Sequence, residues 1–352
     1  MEAPERVCED RPVRPRASAR RASCFAIACF PLLIAAVPAG AREVVPFHSF
    51  NQSPVVQIFG LPALGPARLG TPGTTRIELS EIVARNATGS IREHETLVLD
   101  GESYRTTLIV AHTVATGIEL GIEIPYVAIG AGRLDGAVGS FHDAVGLDHE
   151  DDLGFDRDEF RYTYAREGVE ELAVVLGANG IGDVRLTGGW QWRPSRPERR
   201  LDVALRGSVE LPTGDSSALL GSGGTEVALW ASLAERQDDA NAGLQWYGGF
   251  GAVYVGAGDV LRDQQRRFVG FAGVGAGWAV GRAFVLKAQV DLHSPFYRDS
   301  DVGQLADPAA QLLVGATWEM GEKGSFDFAL AEDVIVDNSS DVALHIGLRW
   351  RR

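Results

Sequence analysis

The chain closes on DVALHIGLRW, residues 341–350, ahead of two terminal arginines. Side chains of an extended strand alternate between its faces. Val342, Leu344, Ile346, Leu348 and Trp350 therefore share one face, and Ala343, His345, Gly347 and Arg349 the other. One face is wholly apolar and the other polar or small. In a soluble sandwich such an apolar face meets a second sheet. In an outer-membrane barrel it meets lipid, with an aromatic residue marking the headgroup boundary. An alternating strand that ends in an aromatic also has the form of the C-terminal signal by which bacterial barrels are recognised for insertion.

The same alternation recurs upstream. In residues 117–129 Ile118, Leu120, Ile122, Ile124 and Tyr126 oppose Glu119 and Glu123. In residues 182–192 Val184, Leu186, Trp190 and Trp192 oppose Asp183, Arg185 and Gln191, and in residues 200–211 Leu201, Val203, Leu205, Val209 and Leu211 oppose Asp202, Arg206, Ser208 and Glu210. Residues 282–293 set Phe284, Leu286, Val290 and Leu292 against Lys287, Gln289, Asp291 and His293. From Glu93 onward about 14 such strands can be laid out, and the connections between them alternate short and long, as barrel turns and loops do. The Gly-rich run GFAGVGAGWAVG at residues 270–281 fits one of these strands, because its glycines alternate within an apolar stretch and do not sit between a strand and a helix.

The N-terminus adds an export signal. Six arginines precede an apolar run at residues 24–37, and Ala39, Gly40 and Ala41 supply the small residues of a cleavage site. The run is about 14 residues, too short to span a membrane as a helix. Residues 1–41 read as a signal peptide, followed by an N-terminal tract at 42–92 that is either partly a plug inside the barrel or its first strands, with Val55 to Phe59 and Arg76 to Val83 as the pair that would make about 16, and a barrel at 93–352. Cys8, Cys24 and Cys29 all lie in the leader, so the exported chain has no thiol for a disulfide or a metal. Without the leader the chain keeps 27 basic residues against 43 acidic ones. That excess argues against nucleic acid, whose phosphates require a basic surface.

The inward-facing candidates are Glu119, Glu123, Asp183, Arg185, Asp202, Arg206, Glu210, Lys287, Asp291, His293, His345 and Arg349. Both signs occur on neighbouring strands, as ion pairs that fill or line a polar interior require. A charged conduit that selects solutes is the sharper reading of the same residues. His293 and His345 could serve as bases, but the sequence has no G-x-S-x-G, H-E-x-x-H or P-loop motif, and no catalytic residue or cofactor is expected.

The connection at residues 130–158 is the longest. Leu134, Val138, Phe141 and Val145 recur at helical spacing, so LDGAVGSFHDAVGL, which includes His142, is expected to form a short helix on an extracellular loop. Its tail, DHEDDLGFDRDE, is densely acidic. Asp148, Asp152 and Glu159 imitate the oxygen spacing of a calcium loop, but the turn glycine is displaced to Gly154, so a solvated acidic loop is the plainer reading.

NQSPVVQIFGLP at residues 51–62, the FHDAVGL stretch, GDVRLTGGWQW and VELPTGD together resemble a family of bacterial outer-membrane proteins known as a domain of unknown function. The resemblance spans most of the exported chain and implies an outer-membrane barrel without implying an activity. The acidic DHEDDLG departs from the family, which makes this loop the least transferable part. More distantly, LPTGD with the following GSGGTEVAL is similar to outer-membrane proteins of phenol and other aromatic-degradation operons.

The sequence thus predicts an all-β, transmembrane, antiparallel up-and-down barrel of about 14 strands, within a range of 12 to 16, exported by a Sec-type route to the outer membrane of a Gram-negative cell. The expected partners are outer-membrane lipid, lipopolysaccharide and the barrel-assembly machinery. The expected function is passive passage of a small solute, with hydrophobic compounds in range. A structural or surface-interaction barrel with a closed lumen is the alternative, and a lipid-modifying enzyme stands third.

Overall fold

The computed structural model describes residues 44–132, 160–194, 200–235, 243–280, 283–321, 323–334 and 338–352. The expected signal peptide, the loop helix with Leu134, Phe141 and His142, and the acidic residues Asp148, Asp152 and Glu159 lie outside them. No described helix is long and apolar enough to cross a membrane.

Among the described residues fifteen strands form one antiparallel sheet: β1 (Thr75–Ile91), β2 (Glu95–Ala115), β3 (Ile118–Gly130), β4 (Arg161–Arg166), β5 (Val169–Val174), β6 (Ala178–Ile181), β7 (Val184–Arg193), β8 (Leu201–Leu211), β9 (Glu226–Glu235), β10 (Leu244–Val255), β11 (Phe268–Val280), β12 (Phe284–His293), β13 (Ala309–Met320), β14 (Gly324–Asp333) and β15 (Val342–Arg351). Twelve of them close a ring. β1 pairs with β15 at one end of the chain and with β2 on its other side, β2 pairs with β3, and β3 pairs with β7. From β7 onward each strand pairs with the next through to β15. Closure leaves the wall no free edge.

The alternation reads residues 95–99 and 104–115 as a hairpin across Asp100-Gly101, and FRYTY at 160–164 and the run at 171–176 as two more strands. Instead, 95–115 is the single strand β2 and neither later run enters the wall separately, while β1 from the N-terminal tract adds one, so that the count of about 14 becomes 12 wall strands. β2 pairs with β3 up to Glu102↔Gly130, and then with β4 from Asp100↔Arg161. β4 therefore resumes the line of β3 after an excursion. The pair then turns at Glu167 and Gly168, whose φ values of 50° and 75° suit a two-residue hairpin. β5 pairs back on β4. β6 leads into β7 across one extra residue at Gly182–Asp183, a bulge opposite Pro125, which has no N–H to continue the ladder. The alternation of side chains is the same in an interrupted strand as in two separate ones, so the sequence could not distinguish them.

The outward face is an apolar band with aromatic borders. Trp190, Trp192, Trp246, Trp278, Trp318 and Trp350 are about half exposed and lie at the ends of their strands nearest the short turns. Tyr126, Tyr254 and Phe268 are exposed toward the long-loop ends. Phe268 and Trp278 of β11 are ten positions apart, the span expected of a strand crossing hydrocarbon. One polar seam interrupts the band on β1 and β2. There Thr106 donates to Glu81, and Tyr104 donates to Glu102 at 2.6 Å. Gly132 lies against Glu102 so closely that no Cβ would fit, so the chain leaving β3 covers part of this seam.

The interior divides into two halves. Toward the long loops it is apolar: Val127, Ile129, Val253, Val255, Val269, Phe271 and Leu313 face inward and are buried. Toward the short turns it is ionic, with Glu78, Glu119, Arg206, Lys287, Asp327 and Arg349 buried. Residues 44–67 form no strand and pass through both halves, making contacts with β2, β7, β8, β9, β10 and β12. The first wall strand starts at Thr75, within the 42–92 tract. Residues 54–59 turn, so they supply no sixteenth strand.

Candidate functional site

The ionic half is a single belt. Lys287 on β12 pairs with Asp327 on β14 at 3.0 Å, Asp327 with Arg349 on β15 at 3.2 Å, and Arg349 with Glu78 on β1 at 3.0 Å. Glu78 then pairs with Arg76 at 3.2 Å, Arg76 with Glu119 on β3 at 3.5 Å, and Glu119 with Arg206 on β8 at 3.2 Å. Cations and anions alternate along it, so each buried charge has an opposite neighbour. This is the condition under which charges persist away from water.

The two ends of the belt hold the two ends of the internal tract. Lys287 donates to the Val45 carbonyl at 2.9 Å and lies over the Phe47 ring, 3.8 Å from its centroid. Arg206 donates twice to the Pro66 carbonyl, at 3.1 and 2.6 Å. Between these points the tract satisfies its own backbone through inward side chains, as a segment without a ladder must. The Phe47 amide donates to Gln289, Ser49 donates to Asp291, Trp230 and Ser232 donate to the Leu64 carbonyl, and Gln191 donates to the Ala67 carbonyl.

His293 belongs to this framework. Its Nδ1 faces the Ser294 carbonyl at 2.9 Å and therefore carries the proton, which leaves Nε2 to accept from the Asn51 amide at 2.9 Å. Asn51 also donates to the Asn338 carbonyl and accepts from the Ser53 amide. This explains locally why NQS opens the tract: one side chain ties a bend, a wall strand and a loop together. His345 is buried, and neither of its ring nitrogens is in hydrogen-bonding geometry among the described residues.

In the apolar half Phe50, Val55, Phe59 and Leu61 of the tract pack in one cluster with the inward wall residues and with loop residues Leu219, Leu261, Phe296 and Tyr297. Phe59 stacks on Phe296 with ring centroids 4.7 Å apart. Tyr297 donates to the Val55 carbonyl at 2.8 Å, and burial pushes its phenol above the ordinary value. The cavities left beside the tract are small. One of about 20 Å³ lies between Asn51, Leu64, Phe271 and Gln311, and one of about 10 Å³ lies between Phe50, Arg105, Glu123 and Arg185. Each has space for little more than water.

A second ionic group sits high in the apolar half. Arg185 pairs with Glu210 at 2.6 Å and with Glu123 at 3.1 Å, and donates to the Leu61 carbonyl at 3.4 Å. Asp183 accepts from the Gly214 and Ser222 amides at 2.7 and 2.8 Å and so anchors the β8–β9 loop.

The twelve inward candidates thus fall into distinct places. Glu119, Arg206, Lys287 and Arg349 belong to the belt. Glu123, Asp183, Arg185 and Glu210 form the upper group, and Asp291 and His293 hold the tract. Asp202 and His345 are buried on the same inward face. Sequence reasoning missed Glu78, Arg105, Glu226 and Asp327. Asp327 was readable, since Phe326 and Phe328 flank it at the strand period, and Glu78 lies between Ile77 and Leu79 in the same way. Glu226 opens its strand and Arg105 is followed by Thr106 and Thr107, so neither has an apolar frame on both sides.

Residues 24–352 match the family model described as "Protein of unknown function (DUF3187)". No curated protein matches the sequence. Among solved structures, the COG4313 outer membrane channel from Pseudomonas putida F1 is 13% identical and aligns with a TM-score of 0.51 over 81% of this chain and 96% of that one. That likeness is one of fold. The NanC porin is 12% identical, with a TM-score of 0.43 over 78% of this chain and 98% of that chain. The Pseudomonas putida toluene transporter TodX is 9% identical, with a TM-score of 0.35 over 89% and 96%. These two lie too far off to add to the comparison.

Proposed function

The chain belongs to the DUF3187 family, and on that premise we propose that it is an outer-membrane channel for a small hydrophobic solute, closed in the present conformation by residues 44–67. The observation that carries this reading is the divided interior. About eight strands enclose only the space their own side chains fill, so a ring of twelve leaves a lumen, and residues 44–67 occupy it. Here the wall's inward face carries an apolar surface toward the long loops, beside the ionic group around Arg185, and the tract covers that surface with Phe50, Val55 and Phe59. A solute that displaces these side chains must offer apolar surface in return. At the other end the tract is held by a few polar contacts that water can replace. In this reading the apolar girdle meets outer-membrane lipid, the long loops face lipopolysaccharide, and the chain reaches its site by Sec-type export and the barrel-assembly machinery.

A structural barrel with a permanently closed lumen is the second reading. The small size of the cavities beside the tract favours it. Deletion of residues 42–73 separates the two. In liposomes, the full chain should pass small sugars slowly, and the folded deletion variant should pass them faster by at least tenfold. A folded deletion variant as tight as the full chain would reject the channel. Of the two histidines a lipid-modifying enzyme could use as a base, His293 is committed to Asn51 and Ser294.

A further inference from the structure

We propose that Asp183, Glu210 and Glu226 bind one calcium ion near the long-loop mouth of the barrel. One oxygen from each of the three lies within 4.8 Å of the others, and all three residues are at most 2% exposed. Glu210 and Glu226 are direct cross-strand partners on β8 and β9, an arrangement in which two carboxylates repel. The hydrogen bonds around them leave one atom unserved. Asp183 takes the Gly214 and Ser222 amides, Glu210 Oε2 takes Arg185 twice, and Glu226 Oε1 takes the Ser222 hydroxyl at 2.7 Å. Glu226 Oε2 is buried with no donor, although its residue is only 1% exposed.

Charge decides what fills the gap. With Glu123, which also pairs with Arg185, four carboxylates share two guanidiniums, those of Arg185 and Arg105, which leaves a deficit of two. One proton shared between Glu210 and Glu226 would remove only half the deficit, whereas one divalent cation removes all of it. The donors are hard oxygens without nitrogen or sulfur, which select calcium or magnesium over transition metals. Magnesium keeps most of its water shell in a regular octahedron, while calcium accepts an irregular set of carboxylates. The site is closed from within by the internal tract: a Cβ at Gly60 would fall 2.8 Å from Glu226 Cβ and 3.5 Å from Glu210 Oε1. A bound ion would therefore tie the β8–β9 loop, the wall and the tract together.

The test uses the full exported chain folded in detergent and stripped with chelator, titrated with calcium chloride alone. The expected result is one calcium per barrel by calorimetry and a higher melting temperature with calcium than with chelator. Glu226→Gln, which removes the unserved charge and keeps the shape, should weaken binding at least tenfold and abolish the melting shift. A triple variant, Asp148→Asn with Asp152→Asn and Glu159→Gln, should bind as the wild type does and so excludes the acidic loop as the source. Three results would overturn the proposal: no calcium heat in the wild type, a Glu226→Gln variant that binds equally well, or a wild-type melting temperature that rises on acidification and ignores calcium. Should Glu226→Gln not fold, the wild-type melts with calcium and with chelator decide the matter, and identical melts reject the site.

Discussion

The Lys287 ammonium lies 3.8 Å from the centroid of the Phe47 ring while the same nitrogen holds Asp327 at 3.0 Å and the Val45 carbonyl at 2.9 Å. One side chain thus belongs both to the wall's ionic belt and to the grip on the internal tract. Lys287→Met keeps the length of the stem and removes the charge. It leaves Asp327 to Arg349 and Thr317, and it frees the start of the tract. Loss of one partner of a buried pair costs about 3 kcal/mol. The variant should unfold at lower denaturant concentration and, in liposomes, leak more than the wild type. Unchanged unfolding and unchanged permeability would show that the grip is incidental.

Tyr297 reaches the tract from the β12–β13 loop. Tyr297→Phe strands the buried Val55 carbonyl without its donor. The loss should be about 1–2 kcal/mol, with the Phe59–Phe296 stack preserved. Denaturant unfolding monitored by tryptophan fluorescence measures the first, and a deuterium-exchange profile of residues 54–59 shows whether the tract itself loosens.

Val314 lies in the middle of β13, points outward and is 54% exposed. If lipid covers this face, Val314→Arg should destabilise the folded barrel by about 2–4 kcal/mol in a bilayer, the depth-dependent penalty for a cation near the midplane. Equal stability of the two proteins in lipid would place this face in water and remove the membrane reading altogether.

The β4–β5 turn rests on Gly168, with φ at 75°. Gly168→Val puts a branched side chain into the left-handed region and should destabilise the rim by about 1–2 kcal/mol. The twelve-stranded wall is untouched by the change, so protection from proteolysis should fall at residues 161–181 and nowhere else.

The wall was legible in the sequence to an unusual degree, and for one physical reason. An apolar outward face and packed polar side chains inward force a two-residue period on every strand, and DVALHIGLRW displays it without exception. What the period does not carry is register across a break, so FRYTY read as a new strand although it extends an old one. Lys287 and Arg349 were found through the apolar neighbours that frame them, whereas Glu78 and Asp327, framed in the same way, were passed over. Their grouping into a belt was not legible, because it depends on which strands become neighbours around the ring. The course of residues 44–67 was the least legible of all, since a segment that takes its hydrogen bonds from distant side chains has no periodicity of its own.

The departure of the chain at Gly130 and its return at Arg161 have a further consequence. Gly130 pairs with Glu102 and Arg161 with Asp100, so the two ends meet the same neighbour two rungs apart. A single residue opposite Gly101 would splice them. The circumference, the tilt and the ionic interior would not register whether thirty residues or one filled that gap. The intervening stretch is therefore a cassette on an indifferent chassis, free to be shortened, lengthened or exchanged between relatives while the wall that carries it stays fixed.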